Sequence, residues 1–286
     1  MGDFEGRRVF MSGGSRGIGL SIAKKLAEGG ASVAIVAKTD EPDPRLPGTI
    51  HTAAEEIEQA GGKALPILGD IRDDTAVTEA VEKTVAEFGG IDFCINNASA
   101  INLAPMGDLP LKRFDLMLSI NVRGTFAVTQ ACLPHLRESD HAHVLSLSPP
   151  IDPDPKWLEM HAPYTLTKYG MSMLTLGVAA SERANGVAAN CLWPRTIIAT
   201  AAVQNLLGGD EAMAKSRTPE ILADAAAVVL ARDPASCTGN TFVDDEVLAE
   251  AGVTDLSGYR GAAGGELLLD VFLDGWGDFG PDGPPA

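Results

Sequence analysis

Tyr164 and Lys168 stand four residues apart in the run Tyr164-Thr165-Leu166-Thr167-Lys168. At the start of a helix that spacing sends both side chains the same way. A tyrosine at its free pKa of about 10 is a poor base near neutrality. A neighbouring ammonium favours the phenolate and lowers that value. The pair therefore suits proton transfer, with Tyr164 taking the proton of an alcohol or giving it to a carbonyl oxygen. Taken alone, a tyrosine and a lysine at this spacing are common in partly buried helices. A second signal is needed.

That signal is Ser12-Gly13-Gly14-Ser15-Arg16-Gly17-Ile18-Gly19, which follows the first apolar run and opens a helix. Gly13 permits the tight turn, Gly17 lets the backbone approach a pyrophosphate, and Gly19 lets the helix pack close. The helix start then offers unpaired N–H groups and a positive dipole end to a phosphate. Ser15, Arg16 and Ile18 share this turn and belong to the candidate phosphate-binding set. The position between first strand and first helix makes the glycines informative.

Charge indicates which dinucleotide would bind. Folds that prefer NAD place an acid at the end of the second strand, against the ribose 2′-OH. Here that place reads Val36-Ala37-Lys38, with no acid until Asp40. Lys38 and Arg16 are two cations suited to a 2′-phosphate. NADP(H) is the expected cofactor.

The elements that must position these residues alternate. Apolar strands fall at 8–12, 32–37, 64–69, 91–96, 143–148, 187–193 and 241–244. Helical spacing marks 15–28, 52–60, 74–88, 111–136, 164–184 and 219–231. Thr218 is the expected N-cap of the last helix, with Pro219 at its first position. The alternation predicts one doubly wound α/β Rossmann domain over residues 1–256, a parallel sheet of about seven strands with helices on both faces. Residues 257–286 read as a Gly/Asp/Pro-rich tail with one apolar island, Leu267–Leu273, that docks on the body or on a neighbouring subunit.

Composition excludes other classes. A net charge of −17 argues against nucleic acid and anionic membranes as partners. No apolar run reaches 18 residues, and the N-terminus lacks a secretory apolar region, so a cytoplasmic protein is expected. Cys94, Cys132, Cys191 and Cys237 form no C-x-x-C pair and read as buried thiols. No metal site is expected. His141-x-His143 and Asp244-Asp245-Glu246 read as solvated groups.

The chain resembles the short-chain dehydrogenase/reductase family over roughly residues 6–245. The family pattern T-G-x3-G-I-G is matched with Ser12 for the threonine. N-N-A-G appears as Asn96-Asn97-Ala98-Ser99, N-V-x-G-T as Asn121-Val122-Arg123-Gly124-Thr125, and Y-x3-K as Tyr164 to Lys168. Stretches such as LSPPIDPDPKW and LWPRTIIATAA look like the hydroxysteroid dehydrogenase-like group. Members of that group can carry a sterol-carrier domain, for which this sequence leaves no room.

The resemblance implies an oxidoreductase in which Tyr164, Lys168, Asn121 and a serine form the catalytic set. Lys168 would hydrogen-bond the nicotinamide ribose, and Asn121 would bend its helix and hold a water. Asn97 would lie at the cofactor, and Asp70 and Ile71 would meet the adenine. The backbone near Ile197 would face the carboxamide, and Thr196 and Thr200 the carboxamide or diphosphate. The serine departs from the pattern. In register it falls on Pro149, which has no hydroxyl, and Ser148 alternates to the other face of a regular strand. Either Pro149-Pro150 turns the chain to present Ser148, or Tyr164 and a water hold the substrate oxygen alone. A lid at 196–217 with Val203, Leu206, Leu207 and Met213, facing Trp157 and Met160, predicts an apolar mouth for a lipophilic alcohol or carbonyl. A dimer or tetramer through the helices starting near Leu111 and Tyr164 is implied. The rival is a non-catalytic NADP(H)-binding sensor, motivated by Pro149.

Overall fold

Strand residues alternate between two apolar layers. Val9, Met11, Val33, Ile35, Phe93 and Ile95 pack into one cluster. Phe10, Ala34, Val36, Cys94 and Val144 pack into the other. A sheet buried on both faces needs apolar residues on both, and this is what a parallel sheet shows. The computed structural model describes residues 3–43, 47–206, 208–261, 266–276 and 280–281.

The strands are β1 (Arg8–Ser12), β2 (Ser32–Ala37), β3 (Lys63–Leu68), β4 (Phe93–Asn96), β5 (Ala142–Ser146), β6 (Val187–Trp193) and β7 (Thr241–Val243). They form one parallel sheet in the order β3-β2-β1-β4-β5-β6-β7. The order reverses between β1 and β4. In such sheets the ligand crevice opens there, beyond the carboxyl ends of the strands.

The helices are α1 (Gly17–Glu28), α2 (Ile50–Gln59), α3 (Asp74–Phe88), α4 (Leu111–Met117), α5 (Thr125–Leu136), α6 (Pro155–Ser181), α7 (Ala201–Leu206), α8 (Gly209–Ala214), α9 (Glu220–Ala231) and α10 (Asp244–Glu250). Among the described residues none is long and apolar enough to cross a membrane. The four cysteines are buried and free.

Several expectations need correction. The predicted helix 111–136 is interrupted by a wider π-helical stretch, Leu118–Gly124, with Asn121 at its middle. A short helical stretch from Pro155 precedes the expected one, and non-helical backbone at His161 separates it from the helix that carries Tyr164, the two together being α6. Thr218 does not cap α9, whose N-cap is Pro219. The predicted last strand stops at Val243, and Asp244 opens α10.

His141 and His143 are not solvated. His141 Nε2 lies 2.8 Å from the Leu230 carbonyl and His143 Nε2 lies 3.0 Å from the Arg232 carbonyl. A helix end leaves its last carbonyls without partners. The two imidazoles supply Nε2–H donors at the end of α9. Burial pushes the His143 pKa down to about 4.

Candidate active site

The turn between β1 and α1 closes tightly because glycine alone fits it. Gly13 has φ +78°, and a Cβ there would stand 2.8 Å from Ala98 Cα. A Cβ on Gly19 would stand 2.5 Å from the Gly13 carbonyl oxygen. Gly17 has φ +54° and faces the Thr200 methyl, which brings the loop after β6 against the turn. Asn97 Nδ2 donates to the Gly13 carbonyl at 2.8 Å. The Asn97 amide thus braces the turn itself.

No side chain caps the start of α1, where Arg16 sits in extended backbone. The first N–H groups of a helix have no partner within it. Around Ser15, Gly17 and Ile18 this leaves a positive dipole end at the mouth of the crevice. Arg16 Nη2 donates to the Gly48 carbonyl at 2.8 Å, and its buried Nε has no partner. Lys38 lies beside Asp70, with Nζ 3.2 Å from Oδ2. Asp70 is also gripped by Arg72, which holds its carboxyl well below the usual carboxylate range. Ile71 is buried and packs on Gly124.

At the far side of the crevice stand Tyr164 and Lys168, both on α6 and both buried. Lys168 Nζ donates to the Leu147 carbonyl at 2.7 Å and lies 4.8 Å from the centre of the Trp193 ring. Loss of hydration lowers the Lys168 pKa to about 8, although Asp270 works against this. The expected lowering of the tyrosine pKa is reversed. Burial first, and then the Asp270 carboxylate, push the Tyr164 phenol well above its ordinary value. The phenol therefore keeps its proton in this arrangement.

Asn121 is completely buried. Its side chain binds both backbone groups of Ala100 and donates to Thr167 Oγ1 at 2.9 Å, the residue beside Lys168. The Ser148 hydroxyl is buried against the Cys191 thiol, and no hydrogen bond joins it to Tyr164. The Pro149 carbonyl instead accepts from Ser172 Oγ at 2.6 Å. The buried Thr196 hydroxyl is unpartnered. Ile197 N–H is spent on the Leu268 carbonyl at 3.0 Å, and the Ile197 carbonyl accepts from Arg217 N–H. Of the lid residues, Val203 is buried and Leu206 is exposed, as is Met160 across the mouth. Leu207 lies outside the described residues.

Two features were missed in the sequence. The first is the Asp244-Asp245-Glu246 run, which is no solvated turn. Arg195 Nε donates to both oxygens of Asp245, at 2.9 and 3.1 Å, and Nη2 donates to Glu246 at 2.5 Å. Arg217 is fully buried, with Nη1 3.6 Å from Asp245. Buried charges must be paired, and here two arginines share one acidic helix start. The run of three acids was the available signal.

The second is the tail. Leu269 bridges Thr196, Asp270 N–H donates to the Arg195 carbonyl at 2.9 Å, and Trp193 Nε1–H donates to the Val271 carbonyl at 2.9 Å. This strap lays the Phe272 ring against Tyr164, 6.1 Å between centroids and 25° between planes. The apolar island Leu267–Leu273 therefore packs on this chain's own body, and nothing in its local residues indicates which group it reaches.

A cofactor with a diphosphate fits the cradle, because the glycines leave room no Cβ would allow and the helix start is uncapped. Among the described residues no cluster of metal-ligating side chains occurs.

Residues 7–209 match the short chain dehydrogenase family. Hydroxysteroid dehydrogenase-like protein 2 of Danio rerio is 49% identical over 96% of this chain. The chain spans 65% of that relative's length. A short chain dehydrogenase of Mycobacterium thermoresistibile is 59% identical, with TM-score 0.91 and 98% of each chain covered. A short chain dehydrogenase of Burkholderia cenocepacia, solved in complex with NADP, is 26% identical, with TM-score 0.71 over 84% of this chain and 97% of that one.

Proposed function

Because this chain belongs to the short-chain dehydrogenase/reductase family, and is thus an oxidoreductase with a nicotinamide-dinucleotide fold, we propose that it interconverts an alcohol and a carbonyl on a lipophilic substrate with NADP(H). One observation carries the reading. A tyrosine held as a neutral phenol lies on the same helix as a buried ammonium, across the crevice from a glycine cradle.

Gly13, Ser15, Gly17, Ile18 and Gly19 would hold the diphosphate by backbone N–H groups. Arg16 and Lys38 would meet the 2′-phosphate, with Asp70 holding Lys38 at that edge. Ile71 and Asn97 would wall the adenosine and nicotinamide ends, and Thr200 would close over the diphosphate. The bound nicotinamide supplies the hydride chemistry. Tyr164 Oη gives its proton to the carbonyl oxygen in reduction and takes it from the alcohol in oxidation. Lys168 holds positive charge beside that oxygen and Asn121 holds the helix that carries both. Ser148 becomes a substrate ligand only by turning its hydroxyl out from Cys191. Otherwise Tyr164 and a water bind the substrate oxygen.

Self-association through α5 and α6 is part of the proposal. Phe126, Leu166 and Met173 are large apolar side chains left exposed on those helices, and such faces mark contact surfaces. We take residues 1–256 as the catalytic domain and 257–286 as its appendage.

The test follows NADPH and NADH absorbance with a panel of apolar aldehydes and ketones, beside Tyr164→Phe. NADPH consumption should fall at least a hundredfold in the variant, a typical acid–base contribution, while NADPH binding persists. Binding of NADPH with no turnover of any carbonyl would favour the sensor reading, which a Ser148 hydroxyl turned toward Cys191 supports. Faster use of NADH would overturn the assignment of Arg16 and Lys38.

A further inference from the structure

Phe272 is 2% exposed, although it lies in a C-terminal segment outside the sheet. Its ring is ringed by others. Trp157, Tyr169 and Trp193 have centroids 5.9, 5.2 and 5.8 Å away, His161 is 6.2 Å away, and Tyr164 is stacked on it. Its backbone has φ +77°, the one left-handed conformation of a residue other than glycine among the described residues. A bulky residue adopts that region only when its surroundings hold it there, and such outliers gather at functional sites.

The surroundings do hold it. On one side Leu268 accepts from Ile197 N–H and donates to the Lys215 carbonyl at 3.0 Å. On the other the Arg195 guanidinium donates to the Gly275 carbonyl at 3.3 Å. Arg195 is itself fixed by Asp245 and Glu246. The strap is therefore pinned before and after Phe272. The ring is a built wall, not a loose end.

We propose that Phe272 is the specificity-determining wall of the active site: stacked on the Tyr164 ring, it admits narrow unbranched aldehydes and ketones and excludes polycyclic ones. The inference rests on the proposed alcohol–carbonyl activity. Phe272 covers one face of the buried phenol, so a fused ring system brought against that face would clash with it, and a thin unbranched chain would clash least. Rejection of this kind discriminates by steric clash rather than by added contacts.

The experiment compares wild type, Phe272→Leu and Phe272→Ala with a linear medium-chain aldehyde and a fused-ring ketone, NADPH as donor. The ratio of kcat/KM, linear over fused-ring, should drop at least tenfold in Phe272→Ala and by less in Phe272→Leu. A ratio unchanged within twofold, in variants that melt cooperatively and bind NADPH, overturns the inference. Phe272→Leu keeps an apolar filler should Phe272→Ala not fold. Tyr164→Phe in each background shows whether the turnover measured is that of the proposed site.

Binding gives a readout that needs no turnover. Trp157 and Trp193 both border Phe272, so their fluorescence reports a ligand in this space. The fused-ring ketone should leave it unchanged in wild type and shift it saturably in Phe272→Ala. Equal binding to both would overturn the wall even in a chain that reduces neither carbonyl. Saturable binding to the variant alone would sustain the wall while the activity reading fails.

Discussion

Asn121 grips Ala100 by both of its backbone groups: Oδ1 accepts the Ala100 N–H at 2.7 Å and Nδ2 donates to the Ala100 carbonyl at 2.9 Å. Asparagine is a mediocre helix residue, and its place in the π-helical stretch is explained by this clamp. Removing the side chain leaves two partly buried backbone groups unpaired, each costing about 1–3 kcal/mol. Asn121→Ala should lower the Tm clearly. It should also depress kcat more than it raises KM, since Thr167, which donates to the Tyr164 carbonyl, loses the donor that fixes it. Asn121→Asp restores the acceptor but sets a carboxylate against a carbonyl, so it should rescue stability only in part. Thermal melts and steady-state kinetics on the three chains check this.

The glycine cradle makes a steric prediction. Gly19→Ala drives a methyl to 2.5 Å from the Gly13 carbonyl, whereas a methyl on Gly177 meets nothing within 4 Å. Gly19→Ala should weaken NADPH binding at least tenfold by fluorescence titration. Gly177→Ala should leave binding alone and stabilise α6 by up to about 1 kcal/mol, the ordinary helix difference between the two residues.

Lys38 is an exposed cation tied to Asp70 at 3.2 Å. Lys38→Ala should raise the KM for NADPH about tenfold, the worth of one charge-assisted hydrogen bond to phosphate. The KM for NADH should stay where it was. An equal rise for both would place Lys38 elsewhere on the nucleotide.

Arg195→Met leaves Asp245, which has no exposed surface, with only Arg217 at 3.6 Å. Breaking a buried pair on one side costs about 3–5 kcal/mol. Urea unfolding should show that loss, and limited proteolysis should cut within 266–276 faster, because the strap loses its anchor at Gly275. Adding Asp245→Leu should recover part of the stability, since the orphaned charge is then gone.

His143 sets an acid limit. Its pKa falls from 6.5 in the unfolded chain to about 4 in the folded one. The folded state favours the neutral ring, so the stabilising contribution is complete above pH 6.5 and is lost as pH falls toward 4. At pH 5 the loss is about 2 kcal/mol. The Asp270 carboxyl, raised from 3.8 to about 7 by burial, has the opposite sign: its cost to stability builds as pH rises from about 4 to 7 and is complete above that. The His143 effect is therefore read as a difference. Between pH 7 and pH 5, wild type should lose about 2 kcal/mol more than His143→Gln in denaturant titrations.

The parts of this fold written in local spacing were legible from the residues. Alternating apolar runs and glycine stops marked β1, β2, β6, α1 and α3 within a few residues. The glycine turn and the Tyr164–Lys168 pair needed only their order along the chain. What failed to show were groups whose partners lie far away in sequence. His143 looks solvated until α9 ends against it. Asp245 looks solvated until Arg195, fifty positions earlier, is seen donating to it. Phe272 is one apolar residue in a glycine-rich tail, and nothing local says that it meets Tyr164. The tyrosine's pKa was misread for the same reason: Lys168 is near in sequence, whereas burial and Asp270 come from the fold.

The strap also orders events in time. Translation delivers Tyr164, Lys168 and β6 well before Phe272, so a nascent chain that folds as it emerges can assemble its nucleotide crevice while the wall beside the phenol is still unmade. The residues of the glycine cradle thus precede the strap in synthesis, and the wall proposed for Phe272 is made after them.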